Sequence, residues 1–413
     1  MTTAERQRSA QELIRPQLPA ELIERGKCPF DPASGLTELS GHGRIHRIEH
    51  EGEAVWLVTG HEEARAVLAD PRMSSDRINS PRARKLISEE LRAKMFPPER
   101  QAGSFIFMDA PEHTRYRRLL TGQFTVRRMR DLTPRVHEIV NAQLDAMIEK
   151  GPPADLVRDF ALPVPSLVIC ELLGVDYGDR EEFQHRTSKL LSLKTTIDEQ
   201  IEVGTGLRKF MLDLVREKQR NPGDDLLSGL VRDTDLNELE LAGIANLLLI
   251  AGHETTANML ALGTFALLEH PEEFAKLREN PELTENAVEE LLRYLSIIAM
   301  GVSRHAKADV EIGGTLIREG ETVVVSVPAV NRDPGQYPDP AELRVDRPRG
   351  HHVAFGHGIH QCLGQQLARV EMVVGFTELV RRLPTLKLAV PAEEVPLRTD
   401  MSIYGVHSLP VKW

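Results

Sequence analysis

The chain has 413 residues, of which 41% are hydrophobic and 27% charged, with a formal net charge of −11. That is ample material for a large core, so whole-chain disorder, a collagen repeat and a coiled coil are excluded. The acidic balance argues against non-specific nucleic-acid binding, and three cysteines (Cys28, Cys170, Cys362) are too few for a disulfide framework and suit a reducing cytoplasm.

In chain order, the stretch 1–16 carries no apolar core of a secretory signal. Residues 44–58 predict a hairpin turning at Glu51-Gly52-Glu53, followed by a helix over about 61–68. Residues 74–104 have no clear period and read as a long functional loop or lid. Asn237-x-x-Glu240 predicts a capping box that opens a long helix ending near Glu269. This helix is apolar nearly all round between Leu241 and Ala251, so it should be buried. The apolar run there is too short to span a membrane, which needs ~20 residues, so no membrane is expected.

A helix over Thr284 to Leu295 places Val288, Leu291, Leu292 and Leu295 on one stripe. Strands are expected over 310–327 around Gly313-Gly314, an amphipathic helix over Leu363 to Leu383, and short strands from Leu386 onward. The fold class is mainly α with a smaller β portion. No charged or Pro-rich linker interrupts the chain, so residues 1–413 read as one domain although the length alone suggests two or three.

The segment Phe355 to Gly364, FGHGIHQCLG, carries the most chemistry. Gly356, Gly358 and Gly364 free the backbone for tight turns and close approach to a flat partner. Cys362 stands just before a helix, where unpaired N–H groups and the helix dipole lower a thiol pKa. His360 is placed to bond an anion, and Phe355 supplies an apolar cover. Two other readings exist for such a cysteine. One is an inert thiol in a Gly-rich turn; the other is a zinc site with His352, His357 and His360, whose spacings match no closed structural site.

FGHGIHQCLGQQLAR, Phe355 to Arg369, resembles the haem-binding signature of the cytochrome P-450 family. The resemblance implies a single-domain P-450 fold with haem b between the long central helix and the cysteine-loop helix. It makes Cys362 the proximal thiolate ligand of the iron. Ala251-Gly252-His253-Glu254-Thr255-Thr256 closely resembles the family's central-helix motif. Small Ala251 and Gly252 would let the flat cofactor approach the backbone. Glu254 and Thr255 match the acid–alcohol pair that delivers protons to dioxygen, whereas His253 has no fixed role in the motif. Glu290-x-x-Arg293 matches a structural lock completed by an Arg at position 347, although Leu343-Arg344 departs from the usual residues. Asn331-Arg332-Asp333-Pro334 and Tyr337-Pro338-Asp339-Pro340 fit the family's segment between lock and loop. His113, Arg117, Arg304 and His360 match its propionate-binding positions.

The implied function is a monooxygenase of the soluble, actinobacterial-like branch. It would insert one oxygen of O2 into a C–H bond of a hydrophobic small molecule, in secondary metabolism or xenobiotic oxidation. The chain has no dinucleotide fingerprint and no cysteine cluster, so electrons must come from an external ferredoxin and its reductase. Arg115, Arg118, Arg127, Arg128 and Arg130 are candidates for the docking face. Pocket residues are expected within 74–107, 177–200, 247–251, 297–302 and 401–404. A peroxide-driven hydroxylase and a non-catalytic haem sensor or carrier are the alternatives.

Overall fold

The computed structural model describes residues 18–413 apart from 51, 177 and 179. Readings that fall on the N-terminal stretch 1–16, on Glu51 in the hairpin turn and on Tyr177 in a pocket segment lie outside the described residues.

The expected hairpin is present. Strand β1 (Ile45–His50) runs antiparallel to β2 (Glu53–Val58), with Ile45 opposite Val58. Helix α1 (His61–Ala69) follows, then β3 (Met73–Ser74). The stretch 74–104 differs from expectation, because it holds three short helices, Pro81–Leu86, Glu89–Met95 and Pro98–Gln101. Each spans two turns or fewer, too little for a 3.6-residue period to show. Their local signals are caps instead: the Ser80 and Ser88 hydroxyls accept from the N–H of Ala83 and Leu91.

The helical body comprises α2 (Glu112–Thr121), α3 (Val126–Lys150), α4 (Pro163–Leu173), α5 (Arg180–Leu191), α6 (Ile197–Arg220), α7 (Glu238–Glu269), α8 (Thr284–Leu295) and α9 (Gln365–Arg382). The central helix α7 has 32 residues, and both halves of its capping box are formed. Such a cap stabilises a helix end by about 1 kcal/mol. Every residue from Thr256 to Leu267 is buried. A Cβ added to Gly263 would lie 2.7 Å from the Phe376 ring, and one added to Gly375 would lie 2.8 Å from Leu260, so α7 and α9 pack closely. Helix α9 starts two residues later than expected, with Gly364 as its N-cap.

The strands form three small sheets: β4 (Ala154–Asp155), β5 (Val302–Ala306), β6 (Val310–Ile312), β7 (Thr315–Ile317), β8 (Thr322–Val325), β9 (Lys387–Leu388) and β10 (Pro410–Lys412) complete the set. The largest sheet has the order β1-β2-β8-β5-β3, and β2 pairs with β8 in parallel. The expected Gly-Gly turn joins β6 to β7. Gly313 and Gly314 have φ of 53° and 75°, the left-handed backbone that a two-residue hairpin turn requires. None of the described helices is long and apolar enough to cross a membrane.

Candidate functional site

The cysteine loop is shaped by its own backbone bonds. Gly356 N–H donates to Val353 O and Cys362 N–H to Phe355 O, both at 2.8 Å. Gly358 has φ of 71°, and a Cβ there would lie 2.4 Å from Leu68 O at the end of α1. Space for a side chain is open at Gly364, where an added Cβ would meet nothing within 4 Å. None of Cys28, Cys170 and Cys362 forms a disulfide. The expected low thiol pKa is not what the protein surroundings alone give. Burial pushes the Cys362 thiol up, and a backbone hydrogen bond from Gly364 with the charges of Arg117 and Arg369 only partly opposes it.

One support of the loop was not read from the sequence. Glu289 on α8 accepts from Arg369 at 2.6 and 3.0 Å and lies 3.1 Å from His352 Nε2. The Arg369 guanidinium stacks 4.6 Å from the Phe355 ring. Burial would raise the Glu289 carboxyl, but hydrogen bonds from His352 and Arg369 hold it down to about 2. This bond also accounts for His352 without a metal.

The lock next to it is formed. Arg293 grips Glu290 in a two-bond fork at 2.7 Å, and Arg347 Nε reaches the same carboxylate at 3.0 Å. The remaining guanidinium hydrogens go to the carbonyls of Asn331, Pro338, Asp339, Pro340 and Glu342. Arg344 contributes only its backbone N–H, 3.0 Å from Glu290. The departure at Leu343-Arg344 is therefore harmless to the lock. Asn331, from the Asn-Arg-Asp-Pro run, accepts from Val353 N–H at 2.8 Å and so ties the lock to the loop.

The four residues matched to propionate binding lie within electrostatic reach of one another. The rings of His113 and His360 are 4.2 Å apart, although they come from α2 and from the cysteine loop. Both His113 nitrogens and His360 Nε2 are buried and have no hydrogen-bond partner among the described residues. Burial and the Arg304 guanidinium push His360 down to about 3. Burial and the Arg77 charge lower Arg304 to about 10. Neither Arg117 nor Arg304 has an ion-pair partner among the described residues. Buried donors without acceptors are costly, so this cluster fits a bound dianion such as the two haem propionates. Arg77, inside the stretch 74–104, joins the cluster and was not read from the sequence.

The middle of α7 has one accessible face. Leu247, Ala251 and Thr255, four apart and therefore on one face, are partly or fully exposed, while Leu248, Leu249, Glu254 and Thr256 are buried. Thr255 Oγ1 donates back to Ala251 O at 2.8 Å. Gly252 lies against α4 as well, since a Cβ there would lie 2.9 Å from Ile169 Cδ1. Glu254 is buried and accepts from Arg398 at 2.9 Å, a partner 144 residues away that no motif announced. Thr255 and Glu254 thus face apart. His253 is fully buried, held by Leu249 O at 2.7 Å and Thr187 Oγ1 at 3.0 Å.

Several expected pocket segments meet. Met401 bridges Ser192, Ser402 N–H donates to Leu191 O, and Tyr404 N–H donates to Ile297 O. Tyr404 itself turns away, with its hydroxyl on Pro29 O at 2.9 Å and Arg25 over its ring. The lid segment lies on α7, since a Cβ at Gly103 would collide with Glu240 O and Ile244 N. Of the arginines expected on a docking face, Arg115 is paired with Glu240 and Asp235, and Arg128 with Gln123. Arg118, Arg127 and Arg130 are exposed.

The family model described as Cytochrome P450 matches residues 183–412. Cytochrome P450 105C1 of a Streptomyces species is 50% identical over 386 residues, covering 93% of this chain and 96% of that protein. Pentalenic acid synthase of Streptomyces avermitilis is 45% identical and covers 94% and 95%. The crystal structure of CYP105P1 in complex with filipin I superposes with a TM-score of 0.89 at 42% identity, covering 96% of this chain and 99% of that one.

Proposed function

Because the chain belongs to the cytochrome P450 family, we propose that this monooxygenase hydroxylates a bulky hydrophobic small molecule, with Cys362 as ligand to its haem iron. The enzyme is an oxidoreductase of the family's actinobacterial branch and its cofactor is haem b. When bound, haem supplies the activation of dioxygen, so that R–H, O2, two electrons and two protons become R–OH and water. The observation that carries the residue assignments is the set His113, Arg117, Arg304 and His360, whose donors meet without a carboxylate partner among the described residues.

The protein's own part follows from its layout. Cys362 is offered from a loop fixed by α1, α8 and α9. His113, Arg117, Arg304 and His360 hold the propionates, and Phe355, Gly356 and Gly364 shape the thiolate side. Ala251 keeps the open face of α7 low enough for a flat partner. The Thr255 hydroxyl stands on that face and would hand on protons, and Glu254 behind it, held by Arg398, is the carboxylate that would relay them once it leaves that partner. Leu247, Ile298 and Met300 add apolar surface that excludes water.

The substrate reading is supported by relatives whose names include pentalenic acid synthase and by the filipin I complex of a similar structure. Electrons come from an external ferredoxin and its reductase, since three cysteines cannot build a cluster. The reducing cytoplasm suits three cysteines outside any disulfide, and residues 1–413 act as one catalytic unit.

The reduced carbon monoxide difference spectrum tests the assignment. The red-shifted thiolate band is expected in the native enzyme and should vanish in Cys362→Ser. Persistence of the band in that variant removes Cys362 as the ligand.

A further inference from the structure

Arg77 stands beside Arg304 with no ion-pair partner among the described residues. Pairing of β3 with β5 sets Ser74 opposite His305, which carries the next few residues alongside Arg304. The backbone there is fixed. Ser75 N–H donates to Asp109 Oδ1 at 2.9 Å, Arg77 N–H to Ser75 O at 2.8 Å, and the Ser80 hydroxyl to Arg77 O at 2.9 Å.

The nearby carboxylates are already engaged. Asp109 takes Ser75 N–H on one oxygen and Lys307 Nζ on the other, at 3.1 Å. Asp76 takes the backbone and side-chain N–H of Asn79, both at 2.9 Å. The Arg77 guanidinium lies 5.5 Å from the Phe107 ring, and its Nε is buried without a hydrogen-bond partner among the described residues. Ser75 Oγ, two residues earlier, is also buried and unpartnered. Two orphaned donors on one fixed turn, beside a second unpaired arginine, leave excess positive charge and hydrogen-bonding capacity that an anion would satisfy. A planar guanidinium suits a carboxylate in particular, because its fork matches the two oxygens.

We propose that Arg77, with the Ser75 hydroxyl two residues earlier on the same turn, binds a carboxylate in the cofactor region, in addition to the set His113, Arg117, Arg304 and His360. The carboxylate belongs either to a haem propionate or to the substrate, and the chemistry of recognition is the same. The inference rests on the haem reading above.

Two measurements on haem-loaded Arg77→Met and Arg77→Lys separate the sources. The first is the rate of haem transfer to apomyoglobin. The second is the spin-state titration with dodecanoate and with its methyl ester. A charge-assisted pair is worth about tenfold or more in affinity. If a propionate is held, Arg77→Met speeds haem transfer about tenfold and leaves the acid-to-ester affinity ratio unchanged. If a substrate carboxylate is held, haem transfer is unchanged, dodecanoate affinity falls about tenfold and the ester is unaffected. Arg77→Lys, which keeps the charge but not the fork, should lie between native and Arg77→Met in whichever measurement responds. Unchanged haem transfer together with an unchanged acid-to-ester ratio overturns the proposal. The carbon monoxide band of the native enzyme is the independent control, because its absence defeats the haem reading and not the assignment of Arg77.

Discussion

Thr255 and Glu254 are neighbours in the chain, yet one lies on an accessible helix face and the other is sealed behind it on Arg398. A motif records adjacency but not which way each side chain turns, and a helix turns successive residues about 100° apart. The partner of Glu254 was illegible for a second reason: a single arginine in an irregular C-terminal segment carries no period and no spacing. Arg77 escaped for the same reason. Cys362, by contrast, was legible because its glycines, histidine and phenylalanine all sit within one short loop. The Glu254–Arg398 pair gives a test at this scale. Removing one member of a buried ion pair costs about 3–5 kcal/mol, because the other charge stays buried. Arg398→Met should therefore destabilise the holoenzyme by about that much in urea unfolding, and adding Glu254→Gln should recover more than half. A double variant as unstable as the sum of the two single changes would show that the charges do not act as a pair.

Elements were legible where a local signal marked them. Helix α7 declared itself through its capping box and α8 through its apolar stripe, and both begin and end within a residue of expectation. Strands β3, β4 and β9 have two residues each, and a two-residue strand exists only through its partner. The join between elements is where stability depends on acidity. Glu289 on α8 holds His352 and Arg369, and its carboxyl sits at about 2 in the folded protein. An unfolded glutamate titrates near pH ~4.3. The folded value is the lower one, so the stabilisation is fully present above pH ~4.3 and is lost as pH falls from there toward ~2. The unfolding free energy of the native protein should exceed that of Glu289→Gln by up to ~3 kcal/mol near neutrality. That gap should narrow steadily between pH ~4.3 and ~2. A gap independent of pH across this window would mean that the carboxylate's charge does not hold the loop.

For the molecule as a whole, the charge balance of −11 sets a constraint on its electron donor. The ferredoxin proposed above, where acidic, would be repelled by the average surface and would need a local exception. Arg118, Arg127 and Arg130 are exposed around the end of α2 and the start of α3 and provide one. Turnover with a ferredoxin should fall steeply between ~0.02 and ~0.5 M ionic strength, since exposed charges are screened beyond ~10 Å at 0.1 M. The double variant Arg127→Glu, Arg130→Glu should lower the low-salt rate and flatten the profile. A rate independent of salt in the native enzyme would exclude steering by these residues. The overall architecture was legible as mainly α with one long buried helix. The parallel pairing of β2 with β8 was not, because nothing local marks two strands that meet across the length of the chain. That pairing, Val55 with Thr322 through Val58 with Val325, has a consequence for biogenesis. At about 5–20 residues per second, a ribosome needs on the order of 13–50 s to travel from one strand to the other. Through that interval the hairpin β1–β2 has an unpaired edge, open to wrong partners. Contacts this distant in sequence also slow folding through loop-closure entropy. A nascent chain halted before residue 322 cannot close this sheet, and the cysteine loop has not yet been made, so haem capture belongs to the end of synthesis.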